Sequence, residues 1–88
     1  MREQVKWFAE QMESKLQEND FKGGWDLCGR FWLLERIIEE VEELKKEMMY
    51  QHNGGERDDE ATIRECCDVA NFAMMLADKT KKRPNYSK

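Results

Sequence analysis

The sequence predicts an all-α protein, a single domain over residues 1–88 built from three main helices. Helix-forming Glu, Lys, Leu, Met, Gln and Ala dominate the composition, whereas Val and Thr are scarce. Apolar residues recur at helical spacing over three stretches of the chain. Paired glycines among polar residues, at 23–24 and 54–55, separate those stretches. A chain of 88 residues has room for one domain at most.

The first predicted helix runs from about Arg2 to Glu18. Its apolar residues share one stripe, which comprises Val5, Phe8, Ala9, Met12 and Leu16. Trp7 points to the opposite side, which indicates a second contact surface. The second helix is predicted from Leu27 or Phe31 to Gln51, with Asp26 as the candidate N-cap. Its predicted apolar face comprises Leu33, Leu34, Ile37, Val41, Leu44 and Met48.

The third predicted helix covers about Glu60 to Thr80, and residues 79–88 read as a frayed basic tail. Apolar residues cover most of this helix: Ile63, Cys66, Cys67, Val69, Ala70, Phe72, Ala73, Met74, Met75, Leu76 and Ala77. A helix that is apolar nearly all round is buried on several sides. Two partner helices from one small chain hardly achieve that, so we expect a homo-oligomer that completes a helical bundle. The alternative is a loosely packed monomer.

Composition also bounds the partners and the compartment. The formal net charge of −4 is no basic footprint for nucleic acid, and no apolar run approaches the roughly 20 residues that a membrane span needs. The N-terminus lacks the apolar core of a signal peptide. Three cysteines, two of them adjacent in a helix, suit a reducing compartment. We therefore expect a cytoplasmic protein that binds neither nucleic acid nor membranes.

Acidic residues on the second and third helices predict a metal site. Glu65 and Asp68 are three residues apart, so they share a helix face, and they lie within the longest apolar run. Buried carboxylates are normally paired or bind a metal, and the third helix offers no cation on that face before Lys79. Glu40 and Glu43 lie beside the apolar face of the second helix. Four such carboxylates suit Mg²⁺ or Mn²⁺ rather than zinc.

These residues also carry a resemblance to a known family. The pattern 39–44, EEVEEL, followed by Glu65-Cys66-Cys67-Asp68, resembles the ExxE, spacer, ExxD signature of the MazG-like all-α nucleoside triphosphate pyrophosphohydrolases. The segments KGGW (22–25), LLER (33–36) and DVANFAMM (68–75) are similar to a branch common in phage genomes, some members of which act on dATP and dGTP. The resemblance covers about residues 22–78.

The resemblance implies an enzyme that hydrolyses nucleoside triphosphates to the monophosphate and pyrophosphate with Mg²⁺. By position, Glu40, Glu43, Glu65 and Asp68 would be the metal ligands, and Glu40 or Glu43 would orient or deprotonate the attacking water. Glu39 would help at the edge of the site. We place the motif on Glu40 and Glu43 because the earlier register, through Glu39 and Glu42, falls away from the apolar boundary. The family fold implies dimers or tetramers.

Weaker signals concern the substrate. Asn71, one turn after Asp68, is a candidate contact for a phosphate or the sugar. Trp25 would stack on the base and Lys22 would contact a phosphate. The same segment is also typical of a plain interhelical turn, and it lacks the glycine and lysine spacing of a phosphate-binding loop. Lys79 and the basic residues after it would supply phosphate-binding charge or simply form a solvated tail.

Two functional hypotheses follow from the sequence. The first is a Mg²⁺-dependent pyrophosphohydrolase of dNTPs or NTPs, with a purine dNTP preference suggested by the resemblance. The second is a non-catalytic helical module whose acidic strip docks a partner. A zinc site made of the cysteines and His52 is disfavoured because Cys66 and Cys67 diverge by about 100° on a helix and no CxxC is present.

Overall fold

Apolar periodicity and the glycine pairs divide the chain where the sequence predicts. The computed structural model describes residues 1–83, without the side chain of Phe21, so the prediction for residues 84–88 lies outside the described part. Helices α1 (Glu3–Gln17), α2 (Arg30–His52) and α3 (Asp59–Lys81) are joined by irregular segments and one 3₁₀ turn, Asp20–Lys22. No strand occurs within residues 1–83. The predicted all-α class is confirmed.

The start of α2 differs from the prediction. Its N-cap is Gly29, and Asp26 lies outside the helix with an exposed side chain. The chain from Gly23 to Gly29 instead forms an irregular segment, in which Gly23 has φ +85° and the amide of Cys28 donates to the carbonyl of Trp25 at 3.0 Å. This left-handed backbone at Gly23 favours glycine.

The turn between α2 and α3 is tightly specified. Gly54 has φ +98°, a backbone region that favours glycine. A Cβ on Gly55 would lie 2.5 Å from the carbonyl oxygen of Tyr50, to which the Gly55 amide donates at 2.8 Å. Asp58 then caps α3, since its side chain accepts from the Ala61 amide at 3.0 Å. These local contacts direct α3 back along α2.

Helix α3 is central, because it packs against both α2 and α1. Hydrogen bonds help to hold α1 on α3. The guanidinium of Arg64 donates to both carboxylate oxygens of Glu18, at 2.8 and 2.9 Å, and the Asn71 amide donates to the carbonyl of Met12 at 3.2 Å. Helix α3 also continues to Lys81, so Lys79 belongs to the helix rather than to a tail.

The interior of this arrangement is small. Within residues 1–83, the apolar residues that are almost fully buried are Leu33 and Cys67. The predicted apolar face of α2 divides into two: Leu33, Ile37 and Leu44 are at least half-buried, whereas Leu34, Val41 and Met48 are exposed. The six residues span one arc of about 100° on the helix, so one edge of the predicted face packs against α3 and the other edge lies exposed. Within the described residues, no helix is long and apolar enough to cross a membrane.

Candidate metal centre

Three of the four predicted ligands meet between α2 and α3. Glu65 and Asp68 are one turn apart on α3, and Glu40 comes from the side of α2 that carries Leu33 and Leu44. One carboxylate oxygen of each of Glu40, Glu65 and Asp68 lies within 4.8 Å of the other two. The Glu40 side chain is 13% exposed and the Asp68 side chain 26%. The packing of α2 against α3 places Glu40 opposite the face that Glu65 and Asp68 share.

The cluster has internal counter-charges. The Lys15 ammonium lies 3.4 Å from Asp68, and the Arg36 guanidinium donates to Glu40 at 2.9 Å. Arg36 lies one turn before Glu40, so helix spacing alone brings the two residues together. Lys15 was not predicted, because spacing along α3 indicates only the cations on that helix, whereas α1 supplies this one across the helix interface. The sequence does contain a signal for this contact: Lys15 follows Phe8 by seven residues, which places it at the edge of the apolar stripe of α1.

Burial and mutual repulsion raise the pKa values of two of these carboxyl groups. For Glu40, desolvation is the main cause and the neighbouring charge of Asp68 adds to it, while Arg36 opposes the rise in pKa. For Glu65, desolvation is again the main cause of the raised pKa, followed by the charges of Asp68 and Glu43. These shifts mean that the folded protein holds negative charge here at a cost, which an added cation would relieve.

The donor set fits a hard cation. Three carboxylates supply oxygen ligands of the kind that Mg²⁺ and Mn²⁺ prefer. Asn71, one turn after Asp68, is 4% exposed, and its Oδ1 has no hydrogen-bond partner among the described residues. A buried amide oxygen without a partner is costly. Asn71 lines the same cavity as Glu40 and Asp68, and its Oδ1 is itself buried.

The other two predicted acidic residues lie at the rim. The side chain of Glu43 is 56% exposed, and its carboxylate lies 3.8 Å from the Lys46 ammonium rather than within the group of three. Its charge still acts on Glu40 and Glu65. Glu39 forms an ion pair with Arg36. The structure therefore brings Glu40, Glu65 and Asp68 together and leaves Glu43 and Glu39 beside them.

A cavity of about 700 Å³ opens next to the cluster. Basic and aromatic side chains line it together with Glu40, Asp68 and Asn71; among them are Lys15, Lys22, Arg36, Trp25, Trp32 and Phe72. The Phe72 ring contacts the edge of Trp32, with ring centroids 6.5 Å apart, and the Arg36 guanidinium lies 5.1 Å above the same Phe72 ring. The predicted substrate contacts Lys22 and Trp25 therefore border this cavity.

Trp25 and Lys79 are also tied to the end of α3. The Trp25 indole donates to Asp78 at 3.0 Å, and the Lys79 ammonium donates to the carbonyl of Asp26 at 2.6 Å. Lys79 is not among the residues that line the cavity. Its contact instead fastens the segment before α2 to the last turn of α3, which helps to hold Trp25 at the cavity wall.

Comparison of the chain with protein-family models, with curated proteins and with solved structures found no match. The fold and the site define a class in physical terms: a small helical protein with an acidic cluster beside a partly basic, partly aromatic cavity.

Proposed function

We propose that the protein hydrolyses nucleoside triphosphates, including dNTPs, to the monophosphate and pyrophosphate in a Mg²⁺-dependent reaction. The observation that carries the proposal is the meeting of Glu40, Glu65 and Asp68, two of which, Glu40 and Asp68, line a cavity together with basic and aromatic side chains. A metal ion and the basic side chains would neutralise the charge of a triphosphate, and the flat aromatic rings would contact the nucleobase. The MazG-like resemblance of the same acidic residues supports the assignment, with purine dNTPs as the first substrates to test.

The metal ion would be held by Glu40, Glu65 and Asp68, with the Asn71 oxygen as a further donor. Bound Mg²⁺ supplies neutralisation of the triphosphate charge and polarisation of the phosphoryl oxygens. Lys15 and Arg36 now pair with two of these carboxylates. When a cation takes that role, the two side chains become free to contact phosphate oxygens across the cavity that they line.

The attacking water needs an acceptor for its proton. Glu43 lies at the rim of the cluster and remains accessible to solvent, so it is the carboxylate best placed to take that proton without giving up a metal contact. Glu40 is the second candidate, since its carboxylate lies within the cluster itself. Water then adds across the bond between the α- and β-phosphates. Positioning and charge neutralisation carry most of such a reaction.

Resolving the products tests this function directly. The protein is incubated with each NTP and dNTP, with and without Mg²⁺, and the products are separated by anion-exchange chromatography. We expect monophosphate and pyrophosphate in equal amounts, only with the metal. Diphosphate with orthophosphate would identify a different phosphoanhydride hydrolase. Absence of turnover with all eight nucleotides would contradict the proposal.

One observation favours the non-catalytic alternative. Lys15 and Arg36 already neutralise Asp68 and Glu40 in part, so the cluster does not strictly require a metal. In that case the carboxylates and cations form an ion-pair network that fixes α1 and α2 on α3, and the acidic surface docks a partner. The pKa of Glu65 is raised by desolvation and by the charges of Asp68 and Glu43, and this unfavourable negative charge favours the hypothesis of a metal site instead.

A further inference from the structure

The carboxylate cluster shares one of its residues with the contact between α1 and α3. Four charged residues, which we call the charge clasp, join the two helices: Lys15 and Glu18 at the end of α1, and Arg64 and Asp68 of α3. The Lys15 ammonium lies 3.4 Å from an Asp68 carboxylate oxygen. The Arg64 guanidinium donates to both carboxylate oxygens of Glu18, at 2.8 and 2.9 Å. Asp68 therefore belongs to the clasp and to the cluster at once.

Helix α1 depends on these polar contacts because it buries little. No residue of α1, Glu3–Gln17, is fully buried, so apolar burial contributes less to its docking than it does for a core helix. A further hydrogen bond runs from the Asn71 amide to the carbonyl of Met12 at 3.2 Å. If half of the clasp were lost, this bond would keep α1 attached at Met12. Loss of the Lys15 contact would thus loosen α1 without detaching it.

A divalent cation at the cluster would take Asp68 out of the clasp. Each helix supplies one cation and one anion, so the clasp is neutral as it stands. The ion and the Lys15 ammonium would share one carboxylate as their nearest anion, and their positive charges would repel each other. Lys15 and Arg64 would then have the Glu18 carboxylate alone to balance them within the clasp. Both effects weaken the attachment of α1 to α3.

Lys15 has a second position open to it. Its side chain lines the cavity beside the cluster and also a smaller cavity of about 350 Å³ between α1 and α3, which Glu18 and Arg64 line as well. The hydrogen bond from Arg64 is the main cause of the lowered pKa of Glu18, and the charge of Lys15 adds to it. Lys15 therefore acts on Glu18 while it contacts Asp68. A change of its rotamer away from the ion would place it in competition with Arg64 for Glu18.

We propose that a divalent cation in the carboxylate cluster loosens α1 from α3, so that α1 is a cation-responsive wall of the adjacent cavity. Glu13, Lys15 and Leu16 line that cavity, so movement of α1 away from α3 widens it. The metal-free protein keeps the cavity narrow, and the cation-bound protein admits a larger ligand. The coupling is reciprocal, because a change that loosens α1 also strengthens cation binding. The inference rests on the metal site of the proposed function and requires no catalytic activity.

Hydrogen–deuterium exchange of the full chain, followed by mass spectrometry of peptic peptides, tests the coupling. Saturating Mg²⁺, compared with NaCl of equal ionic strength, should speed exchange of the α1 backbone amides about 5-fold or more, the lower end for coupled sites. Amides of α2 and α3 should exchange at the same rate or more slowly, because a ligand stabilises the elements that bind it. Lys15→Gln should show fast α1 exchange without metal. Lys6→Gln, which removes an exposed lysine of the same helix, should behave like the wild type.

Glu18→Gln separates the coupling from a simple effect of charge. The substitution breaks the Arg64 contact outside the cluster and should tighten Mn²⁺ binding, measured by electron paramagnetic resonance, roughly 2- to 5-fold, the range for loss of one exposed ion pair. Removal of a negative charge by itself would instead weaken the binding of a cation. Glu10→Gln is the matched control, because it removes the same charge from an exposed position on α1. It should not tighten Mn²⁺ binding.

The outcomes distinguish this inference from the proposed function. Wild-type protein that binds no Mn²⁺ overturns both the metal site and the coupling. Mn²⁺ binding together with unchanged or slower α1 exchange in Mg²⁺ overturns the coupling alone. Unchanged or weaker Mn²⁺ binding by Glu18→Gln also contradicts the coupling. The exchange experiment on the wild-type protein needs no substitution, so it decides the question even if a variant does not fold.

Discussion

Lys15 determines how the carboxylate cluster is balanced. Glu40, Glu65 and Asp68 bring three negative charges together, and the ion pairs with Lys15 and Arg36 add two positive charges. One negative charge remains unbalanced and the pKa of Glu65 is raised, so a bound cation would stabilise the cluster. In the proposed metal site, a divalent ion would compete with Lys15 for Asp68. Helix α1 would then influence the affinity for the ion, together with the two helices that carry the ligands.

Glu43 can be tested against its neighbour. Glu43→Ala should lower turnover of the best nucleotide substrate by about 100-fold or more, the range that a general base contributes. Glu42→Ala is the matched control, since both glutamates are exposed on α2 and Glu42 points away from the cluster. Steady-state kinetics with Mg²⁺ provide the measurement. Equal activity of the two variants would remove Glu43 from the mechanism, and a larger loss in Glu42→Ala would indicate the other register of the motif.

Glu65 predicts an unusual pH dependence of stability. Because its pKa in the folded protein lies above the ordinary 4.5, the folded state binds a proton more tightly than the unfolded state. This group therefore destabilises the fold near neutral pH, and that penalty disappears as the pH falls through the raised pKa. Glu65→Gln without added metal should stabilise the protein at pH 7 by about 0.5 kcal/mol, the scale of one like-charge pair.

Urea unfolding at several pH values between 7 and 4.5 checks this expectation. The gain from Glu65→Gln should be largest at pH 7 and should shrink on acidification. Glu56→Gln, which removes an exposed glutamate in the turn after α2, should show no such trend. A destabilised Glu65→Gln at pH 7 would mean that Glu65 makes favourable contacts, and the repulsive cluster would then be rejected.

Sequence reasoning reached part of the site because part of it is local. Glu65 and Asp68 share a face through helix geometry alone, and Arg36 reaches Glu40 within one turn. Lys15 and Asn71 depend on how α1 packs against α3, which spacing within one helix does not encode. The position of Glu43 depends on the tilt between α2 and α3. For the same reason, helix spacing did not indicate that Glu43 lies outside the cluster that Glu40, Glu65 and Asp68 form.

At the scale of helices, the boundaries were predictable where local chemistry sets them. Gly54 and Gly55 end α2 within a residue or two of the predicted position, and α3 begins one residue before the predicted Glu60. The predicted start of α2 was open between Leu27 and Phe31, and α2 begins at Arg30, next to the second of these. The Asp26 cap was wrong, because long-range contacts hold the irregular segment before α2. These contacts join Trp25 to Asp78 and Lys79 to Asp26, and local sequence patterns do not indicate them.

The cap of α3 gives a prediction at this scale. Asp58→Ala removes the acceptor for the Ala61 amide and should lower the free energy of unfolding by about 1 kcal/mol. Urea denaturation at pH 7 measures it. Glu56→Ala, two residues earlier in the same turn, is the control and should change stability by less than about 0.5 kcal/mol. If the two variants lose equal stability, the Asp58 side chain does not act as the cap.

At the scale of the whole molecule, one central helix serves two surfaces. One side of α3 carries Glu65, Asp68 and Asn71 towards α2 and α1, and the opposite side carries the exposed residues Ala73 and Ala77. Apolar residues surround most of this helix, which led to the prediction that a single chain could not cover it. The small core within residues 1–83 agrees with incomplete burial of the helix in one chain. The oligomeric state itself stays a prediction.

The central claim is that the acidic cluster is a divalent-cation site, and Mn²⁺ binding followed by electron paramagnetic resonance tests it most directly. Titration of free Mn²⁺ with the wild-type protein should show saturable binding that added Mg²⁺ displaces. Asp68→Asn should weaken that binding at least about 10-fold, since it removes one charged ligand. Asp59→Asn, on the exposed first turn of the same helix, should bind like the wild type. Wild-type protein that leaves the free Mn²⁺ signal unchanged, or binding that Asp68→Asn retains in full, would contradict the account.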